Sequence, residues 1–469
     1  MIFLASASWE EPRMKKQSTI AAIATGAGGG IGIVRLSGVK AFEIAGEIFY
    51  PKRGNKLPMD MAGYTGALGK VVEQGQELDE AVMFVYRSPQ SYTGEDVVEF
   101  CCHGGHFVLE QVLSAAIAHG AVPAGPGEFT KRAFLNGKMS LTQAESVADI
   151  IASENSQAVR AALRARDGAL YRAAMALANE LTDSAAHISA WIDYPEEDVE
   201  EVLTCQLENT LTKTKNELKR LVSTYHAGRL MREGIPTAIV GSANVGKSTL
   251  MNLLAGCQKS IVTDIPGTTR DVIEDTVRIG DLMLNLSDTA GIRETADVVE
   301  RIGVDRSLER METAELILAV IDSSRPLEQG DKELLDKLKG RLCVALLNKS
   351  DLKPCVVKKD ILPYIPEVLE ISAKNAKGVK ELEKTITRLV GMADLNPNAG
   401  LIANQRQLSC VTSALASIEE AMDSLGFGQT LDAVSVCIEE ALDALLELTG
   451  ERASVHVIDR VFENFCVGK

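Results

Sequence analysis

Eight residues, Gly241-Ser-Ala-Asn-Val-Gly-Lys-Ser248, constrain this chain more than any others. They fit the pattern G-x-x-x-x-G-K-S. The flanks fit as well: Thr237-Ala-Ile-Val-Gly241 reads as a short buried strand, and Thr249-Leu-Met-Asn-Leu-Leu-Ala255 as a helix. A glycine loop between a strand and a helix is a phosphate cradle, because backbone N–H groups and the positive helix end converge on the anion. The expected contacts run through Asn244, Val245, Gly246, Lys247, Ser248 and Thr249. Lys247 would neutralise the outer phosphates, and the Ser248 hydroxyl would ligate Mg²⁺. A strand-to-helix turn that happens to use two glycines is the alternative for the motif alone.

Downstream motifs remove that alternative. Asp288, Thr289, Ala290 and Gly291 follow an alternating strand pattern, Leu282-Met-Leu-Asn-Leu-Ser287. An Asp there reaches Mg²⁺ through water, and the Gly N–H reaches a γ-phosphate. Asn348, Lys349, Ser350 and Asp351 follow the apolar run Leu342-Cys-Val-Ala-Leu-Leu347. A carboxylate at Asp351 accepts both the ring N–H and the exocyclic amine of guanine, a donor pair that adenine lacks. Ser372, Ala373 and Lys374 follow Val368-Leu-Glu-Ile371 and complete the base pocket. The ordered set resembles the Ras-like GTPase superfamily over residues 233–392. It predicts a mostly parallel sheet wrapped by helices.

Two substitutions stand out. Ras-like enzymes usually place a water-orienting Gln after the Asp-x-x-Gly motif; here Ile292 holds that position. Glu294 and Glu300 lie in the charged stretch that follows, where a carboxylate could align water; a solvated switch segment is the other reading. Asn244 sits inside the phosphate loop, and no arginine is obviously placed as a finger in cis. Its side-chain oxygen could ligate K⁺, with carbonyls from Thr263-Asp-Ile-Pro-Gly-Thr-Thr-Arg-Asp271 completing the shell. Such a cation would stabilise developing charge as an arginine finger does. Alternatively, Asn244 tightens the loop.

With 469 residues, about three domains are expected. The net charge of −16 excludes a generally basic nucleic-acid binder. RNA contact would need local patches, either Arg160, Arg164, Arg166 and Arg172, or Lys215, Lys219, Arg220, Arg229 and Arg232. Nine cysteines without a C-x-x-C predict reduced thiols and a cytoplasmic setting. No apolar run approaches the length of a membrane span. The first residues lack a signal-peptide pattern; 1–17 read as a disordered extension, with Met14 as an alternative start.

Residues 18–134 mix β-rich runs with glycine turns and predict an α+β domain. Residues 135–232 and 393–469 are helical. In the latter, Leu431, Val434, Ile438, Leu442 and Leu445 keep one apolar face. The economical reading is one all-α domain interrupted by the GTPase module at 233–392. Cys101-Cys-His-Gly-Gly-His106 suits a strand end and turn better than a zinc site.

Long motifs outside the module narrow the resemblance. Ile31-Gly-Ile-Val-Arg-Leu-Ser-Gly38, Ser91-Tyr-Thr-Gly-Glu-Asp-Val-Val-Glu99, Cys102-His-Gly-Gly105, Gly127-Glu-Phe-Thr-Lys-Arg-Ala-Phe-Leu-Asn-Gly-Lys-Met139, Leu141-Thr-Gln-Ala-Glu-Ser-Val-Ala-Asp-Ile150 and Cys466-Val-Gly-Lys469 resemble the tRNA-modification GTPase family MnmE (TrmE). That family lies in the TrmE-Era-EngA-YihA-Septin-like class. The resemblance implies a homodimer with a tetrahydrofolate-binding-like N-terminal domain. It implies K⁺-stimulated GTP hydrolysis and an FAD-dependent partner, MnmG (GidA). Together these modify carbon 5 of the tRNA wobble uridine with a carboxymethylaminomethyl or aminomethyl group. The carbon would come from 5-formyl- or 5,10-methylene-tetrahydrofolate.

By the same resemblance, Asn244, Thr263, Ile265 and Thr268 are the K⁺ ligands, and Ser248 and Thr269 the Mg²⁺ ligands. Thr263, Thr268 and Thr269 also join the GTP contacts. Glu300 orients the catalytic water, and Arg35, Glu99, Lys138 and Lys469 line the folate site. Cys466 is a further functional candidate, or a small buried hydrophobe. One departure is notable: the usual Ala-Thr-Pro-Pro-Gly-x-Gly-Gly opening is here Ala24-Thr-Gly-Ala-Gly-Gly-Gly30, which predicts a looser loop. Two other functions compete: a ribosome-assembly GTPase of the Era or Der type, and a nucleotide-gated scaffold that has lost hydrolysis.

Overall fold

A computed structural model gives the fold. It describes residues 18–26, 28–53, 57–153, 155–193, 204–256, 275–286, 313–393, 395–396, 400–463 and 465–469. The chain divides into two compact units, Met1–Ala148 with Thr449–Lys469, and Asp149–Leu448.

In the first unit, seven strands form one sheet: β1 (Ile20–Ile23), β2 (Ile31–Ser37), β3 (Phe49–Pro51), β4 (Thr65–Glu73), β5 (Gln76–Tyr86), β6 (Val97–His103) and β7 (Val122–Pro123). Their order is β3-β4-β5-β6-β2-β1-β7. Neighbours are antiparallel except β1 and β7. Side chains alternate between faces with period two. Val34, Leu36, Val98, Phe100 and Cys102 are buried with apolar residues of α1 (Ala41–Ile48) and α2 (His106–Ala118). The same alternation puts Arg35 and Glu99 on the opposite face, and the β2–β6 register makes them direct partners. Arg35 lies within β2; Cys101, Cys102 and His103 close β6, and Gly104 and Gly105 form the turn into α2, the strand end and turn expected of that segment.

Two further helices follow, α3 (Glu128–Leu135) and α4 (Leu141–Ala152). Leu141 and Ala144 pack with Ile458, Phe462 and Phe465 from the end of the chain. An ion pair from Lys131 to Asp459 at 2.5 Å supports that packing. The helix Val455–Glu463 is amphipathic, so it needs an apolar partner; these residues provide it.

The second unit combines helices with a six-stranded sheet. Helices α5 (Ser156–Arg166), α6 (Ala169–Asp193) and α7 (Thr204–Glu233) precede the sheet in sequence; Gln405–Gly426 and Leu431–Thr449 follow it. Leu177, Leu181, Leu211, Leu218, Ile418 and Leu445 stand in their shared core. The strands are β8 (Ile235–Val240), β9 (Asp275–Ile279), β10 (Leu282–Leu286), β11 (Leu316–Asp322), β12 (Cys343–Asn348) and β13 (Glu367–Glu370), in the order β13-β12-β11-β8-β10-β9. All pairs are parallel except β9 with β10.

Every residue of β11 and β12 is buried, as a parallel sheet covered on both faces requires. Leu250 and Leu254 of α8 (Lys247–Gly256) join one face with Leu382 and Ile386; Leu335 of the helix Gln329–Lys337 joins the other. The multidomain α/β plus α class expected from the sequence is what the chain adopts.

Candidate nucleotide-binding site

The phosphate loop leaves the end of β8 and runs into α8, as the motif requires. Its backbone is left-handed at Asn244, φ 61°, and at Gly246, φ 99°. Asn tolerates that region better than most residues, so the turn itself supplies a reason for Asn at 244. At Gly246 there is no room for a side chain: a Cβ would stand 2.3 Å from the Asn348 amide nitrogen. Lys247 is half-buried, and its Nζ donates to the carbonyls of Gly241 and Ser242, each at 2.7 Å. Burial pulls its pKa below the usual lysine value. Ser248 and Thr249 are exposed at the start of α8, where unpaired N–H groups and the helix dipole favour an anion.

The Asn348–Asp351 motif is joined to this loop by hydrogen bonds. Asn348, the last residue of β12, is buried; its Nδ2 donates to the Val245 carbonyl at 2.9 Å. Its Oδ1 accepts from the Ala373 N–H at 3.0 Å, so one amide ties three motifs together. Lys349 has φ 61° and donates to the Asn244 carbonyl at 3.0 Å and to Asp322 at 2.6 Å. Asp351 is exposed, and one carboxylate oxygen accepts from Ser372 Oγ at 2.6 Å. That bond, helped by its own backbone N–H and the nearby Lys374 charge, holds the carboxyl below the usual Asp range. Lys374 is exposed beside it.

Thus Asn244, Val245, Gly246, Lys247, Ser248, Thr249, Asn348, Lys349, Asp351, Ser372, Ala373 and Lys374 stand at adjoining ends of β8, β12 and β13. Thr263, Ile265, Thr268, Thr269, Asp288, Thr289, Ala290, Gly291 and Glu300 lie outside the described residues, as do Ile292 and Glu294.

Sequence reasoning missed two supports. Asp322 ends β11 and holds Lys349 in place. Burial pushes its pKa up, but hydrogen bonds from Lys349 and Ser324 outweigh that and leave it below the ordinary value. Asp331 accepts from Ser242 Oγ and pairs with Arg325 at 3.0 Å. The only signal for Asp322 was an acid closing an otherwise apolar strand.

A second polar cluster lies on the sheet face of the first unit opposite α1 and α2, largely buried. Arg35 Nε donates to Glu99 Oε1 at 2.7 Å, and Tyr86 donates its hydroxyl to Glu99 Oε2 at 3.3 Å. The Arg35 guanidinium sits 5.5 Å from the Phe129 ring centre and 6.0 Å from that of Tyr92. It also reaches the Gly468 carbonyl at 3.4 Å. Phe129 N donates to the Lys469 carbonyl at 3.2 Å, and Gly127 N to that of Cys466. Gly468, at φ 94°, passes so near Ile23 that a Cβ would fall 2.3 Å from its carbonyl oxygen.

The structure therefore brings Arg35, Glu99 and the chain end together. Lys138 bonds instead to the Pro89 carbonyl at 2.9 Å, and Cys466 is exposed. The rings of Tyr86, Tyr92 and Phe129 were not foreseen. In the loop from Ala24 to Gly30, Gly28 N donates to Gly104 O and Gly30 O accepts from Gly104 N, each at 3.3 Å.

Comparison with known proteins separates this chain from other GTPases. The model "GTP-binding protein TrmE N-terminus" matches residues 19–138, and "MnmE helical domain" matches 141–466. The chain belongs to the MnmE (TrmE) family. The "tRNA modification GTPase MnmE" of Acetivibrio thermocellus is 42% identical, across 97% of this chain and 100% of that protein. Its counterpart in Clostridioides difficile is 40% identical, across 96% and 99%, and that in Oceanobacillus iheyensis 38%, across 97% and 100%. Membership in the MnmE family makes the chain a GTP-binding enzyme that hydrolyses GTP. Among the described residues, no helix is long and apolar enough to cross a membrane.

Proposed function

We propose that this chain is a dimeric, K⁺-stimulated GTPase that drives modification of carbon 5 of the tRNA wobble uridine with an FAD-dependent MnmG partner. The group installed would be carboxymethylaminomethyl or aminomethyl. The observation that carries the GTPase half is the bonded pair of loops, Asn348 to Val245 and Lys349 to Asn244. The tRNA half rests on relatives named as tRNA modification GTPases along nearly their whole length.

In this reading Lys247 exchanges its two loop carbonyls for phosphate oxygens, and Asp351 pairs the guanine edge. Ser248 and Thr269 hold Mg²⁺; Asn244, Thr263, Ile265 and Thr268 hold K⁺; Glu300 orients water. The exposed Ser248 hydroxyl offers an oxygen to a hard cation carried by the bound phosphates, and the exposed Asn244 amide oxygen is a neutral donor open to a second cation. Arg35, Glu99, Lys138 and Lys469 hold the tetrahydrofolate. Glu99 keeps acceptor capacity beside aromatic rings, which suits a pterin edge. The folate supplies a one-carbon unit and the partner's flavin supplies redox chemistry.

The test is reconstitution with the FAD-loaded flavoprotein, a reductant for its flavin, unmodified tRNA, GTP, KCl, MgCl₂, 5,10-methylene-tetrahydrofolate and either glycine or ammonium as amine donor, followed by nucleoside mass spectrometry. Modified wobble uridine is expected; its absence from the complete mixture contradicts the proposal. Glu99→Gln should weaken tetrahydrofolate binding about tenfold or more in a fluorescence titration, the size expected for a lost hydrogen bond to a charged group.

A further inference from the structure

We infer that the outward face of α5 contacts the tRNA backbone; this rests on the tRNA reading above. The sequence offered two basic groups, and the structure treats them differently. The second is neutralised from within: Lys215 and Lys219 share Glu419 at 3.1 and 2.9 Å, Arg220 pairs with Glu217 at 2.7 Å, Arg232 with Asp149 at 2.8 Å, and Arg229 with Glu315. Such groups have little charge left for a polyanion.

Arg160 and Arg164 differ. Both are exposed, and among the described residues neither has a carboxylate partner. They sit four residues apart on α5, about 6 Å along its axis at 1.5 Å per residue. Ala158 and Ala162 are buried, and at about 100° per residue they point away from both arginines. Arg166 and Arg172 extend the positive surface at the end of α5. Arg166 pairs with its half-exposed neighbour Asp167 at 3.1 Å, and Arg172 donates to the Asp167 carbonyl. From Asn155 to Ala178 the chain carries four arginines against one acid, within a protein of net charge −16.

That imbalance fits a phosphate backbone. Arginine presents a planar fork that grips phosphate bidentately, and fixed positive charge binds nucleic acid by counterion release. A protein partner is less well matched, since α5 has no aromatic residue and interface centres are rich in them. The helix packs on the nucleotide-binding sheet. Ala158 joins the core that contains Leu282 and Leu284, and Ser156 Oγ bonds to Asp281 in the β9–β10 turn.

The experiment is fluorescence anisotropy of the full chain with an unmodified tRNA transcript bearing a wobble uridine, over a KCl series. Arg160→Ala/Arg164→Ala should bind about tenfold more weakly at low salt. The slope of log affinity against log salt should fall by about 1.4–1.8, as for two lost phosphate contacts. Arg160→Lys/Arg164→Lys should keep most of the slope. Thermal unfolding and tRNA-free GTP turnover of these variants should match the unaltered protein. Unaltered affinity and slope in the double alanine variant would overturn the assignment while leaving the tRNA reading intact. Lost flavoprotein binding with intact tRNA binding would overturn it in favour of a protein surface. No tRNA binding by the unaltered chain would sink both.

Discussion

Asp351→Asn should turn a guanine-nucleotide binder into a xanthine-nucleotide binder. The carboxylate is exposed and held by Ser372, and in the proposed reading it accepts two N–H donors from guanine. An amide replaces one acceptor with a donor, which then faces the guanine amine. Two hydrogen bonds to a charged group are worth about 3–6 kcal/mol together, so GTP affinity should fall by about 100-fold or more. Xanthine carries a carbonyl where guanine has that amine, so xanthosine triphosphate should bind the variant better than GTP does. Isothermal titration with both nucleotides checks this. Equal GTP affinity in both proteins would mean that Asp351 does not read the base.

The pH dependence follows from the same bond. Ser372 holds the Asp351 carboxyl below its ordinary value. Base pairing by the ionised form is therefore complete above the usual Asp range, and is lost only as pH falls through the lowered value. Ser372→Ala removes the largest cause, so the acid loss of GTP binding should move to higher pH.

Gly246→Ala should abolish tight nucleotide binding by a different route. The position combines φ 99° with an approach of 2.3 Å between a new Cβ and Asn348 Nδ2. The left-handed backbone alone costs about 1–2 kcal/mol for a residue with a Cβ. The clash also drives Asn348 from the Val245 carbonyl, leaving a buried amide unsatisfied at about 1–3 kcal/mol. Because Asn348 also holds Ala373, both the phosphate and base loops shift. GTP affinity should fall about 100-fold or more, and a calorimetric scan should show the Asp149–Leu448 unit unfolding several degrees earlier. Wild-type affinity in this variant would show that the loop tolerates a shift that its packing forbids on geometric grounds.

What the sequence disclosed follows a physical division. The phosphate loop and Asn348–Asp351 were legible because each demands particular atoms at short range, and the strands around them are continuous apolar runs. The contacts that hold those loops were not: Asp322 meets Lys349, and Asp331 meets Ser242, across long chain separations. Arg35 and Glu99 were named from resemblance, but their pairing depends on the β2–β6 register, which alternation alone leaves open. The helix Val455–Glu463 advertised an apolar face without indicating its partners, Leu141 and Ala144. The two basic groups looked alike in sequence; only their carboxylate neighbours separate them.

The central claim is K⁺-stimulated hydrolysis through the phosphate loop. Its most direct test is steady-state GTP turnover in KCl against matched NaCl, for the unaltered chain and for Asn244→Ala. Turnover should rise strongly in KCl, and the variant should lose that rise while still turning over slowly in both salts. Equal low rates in KCl and NaCl for the unaltered chain would contradict the K⁺ mechanism and favour a passive nucleotide-gated scaffold.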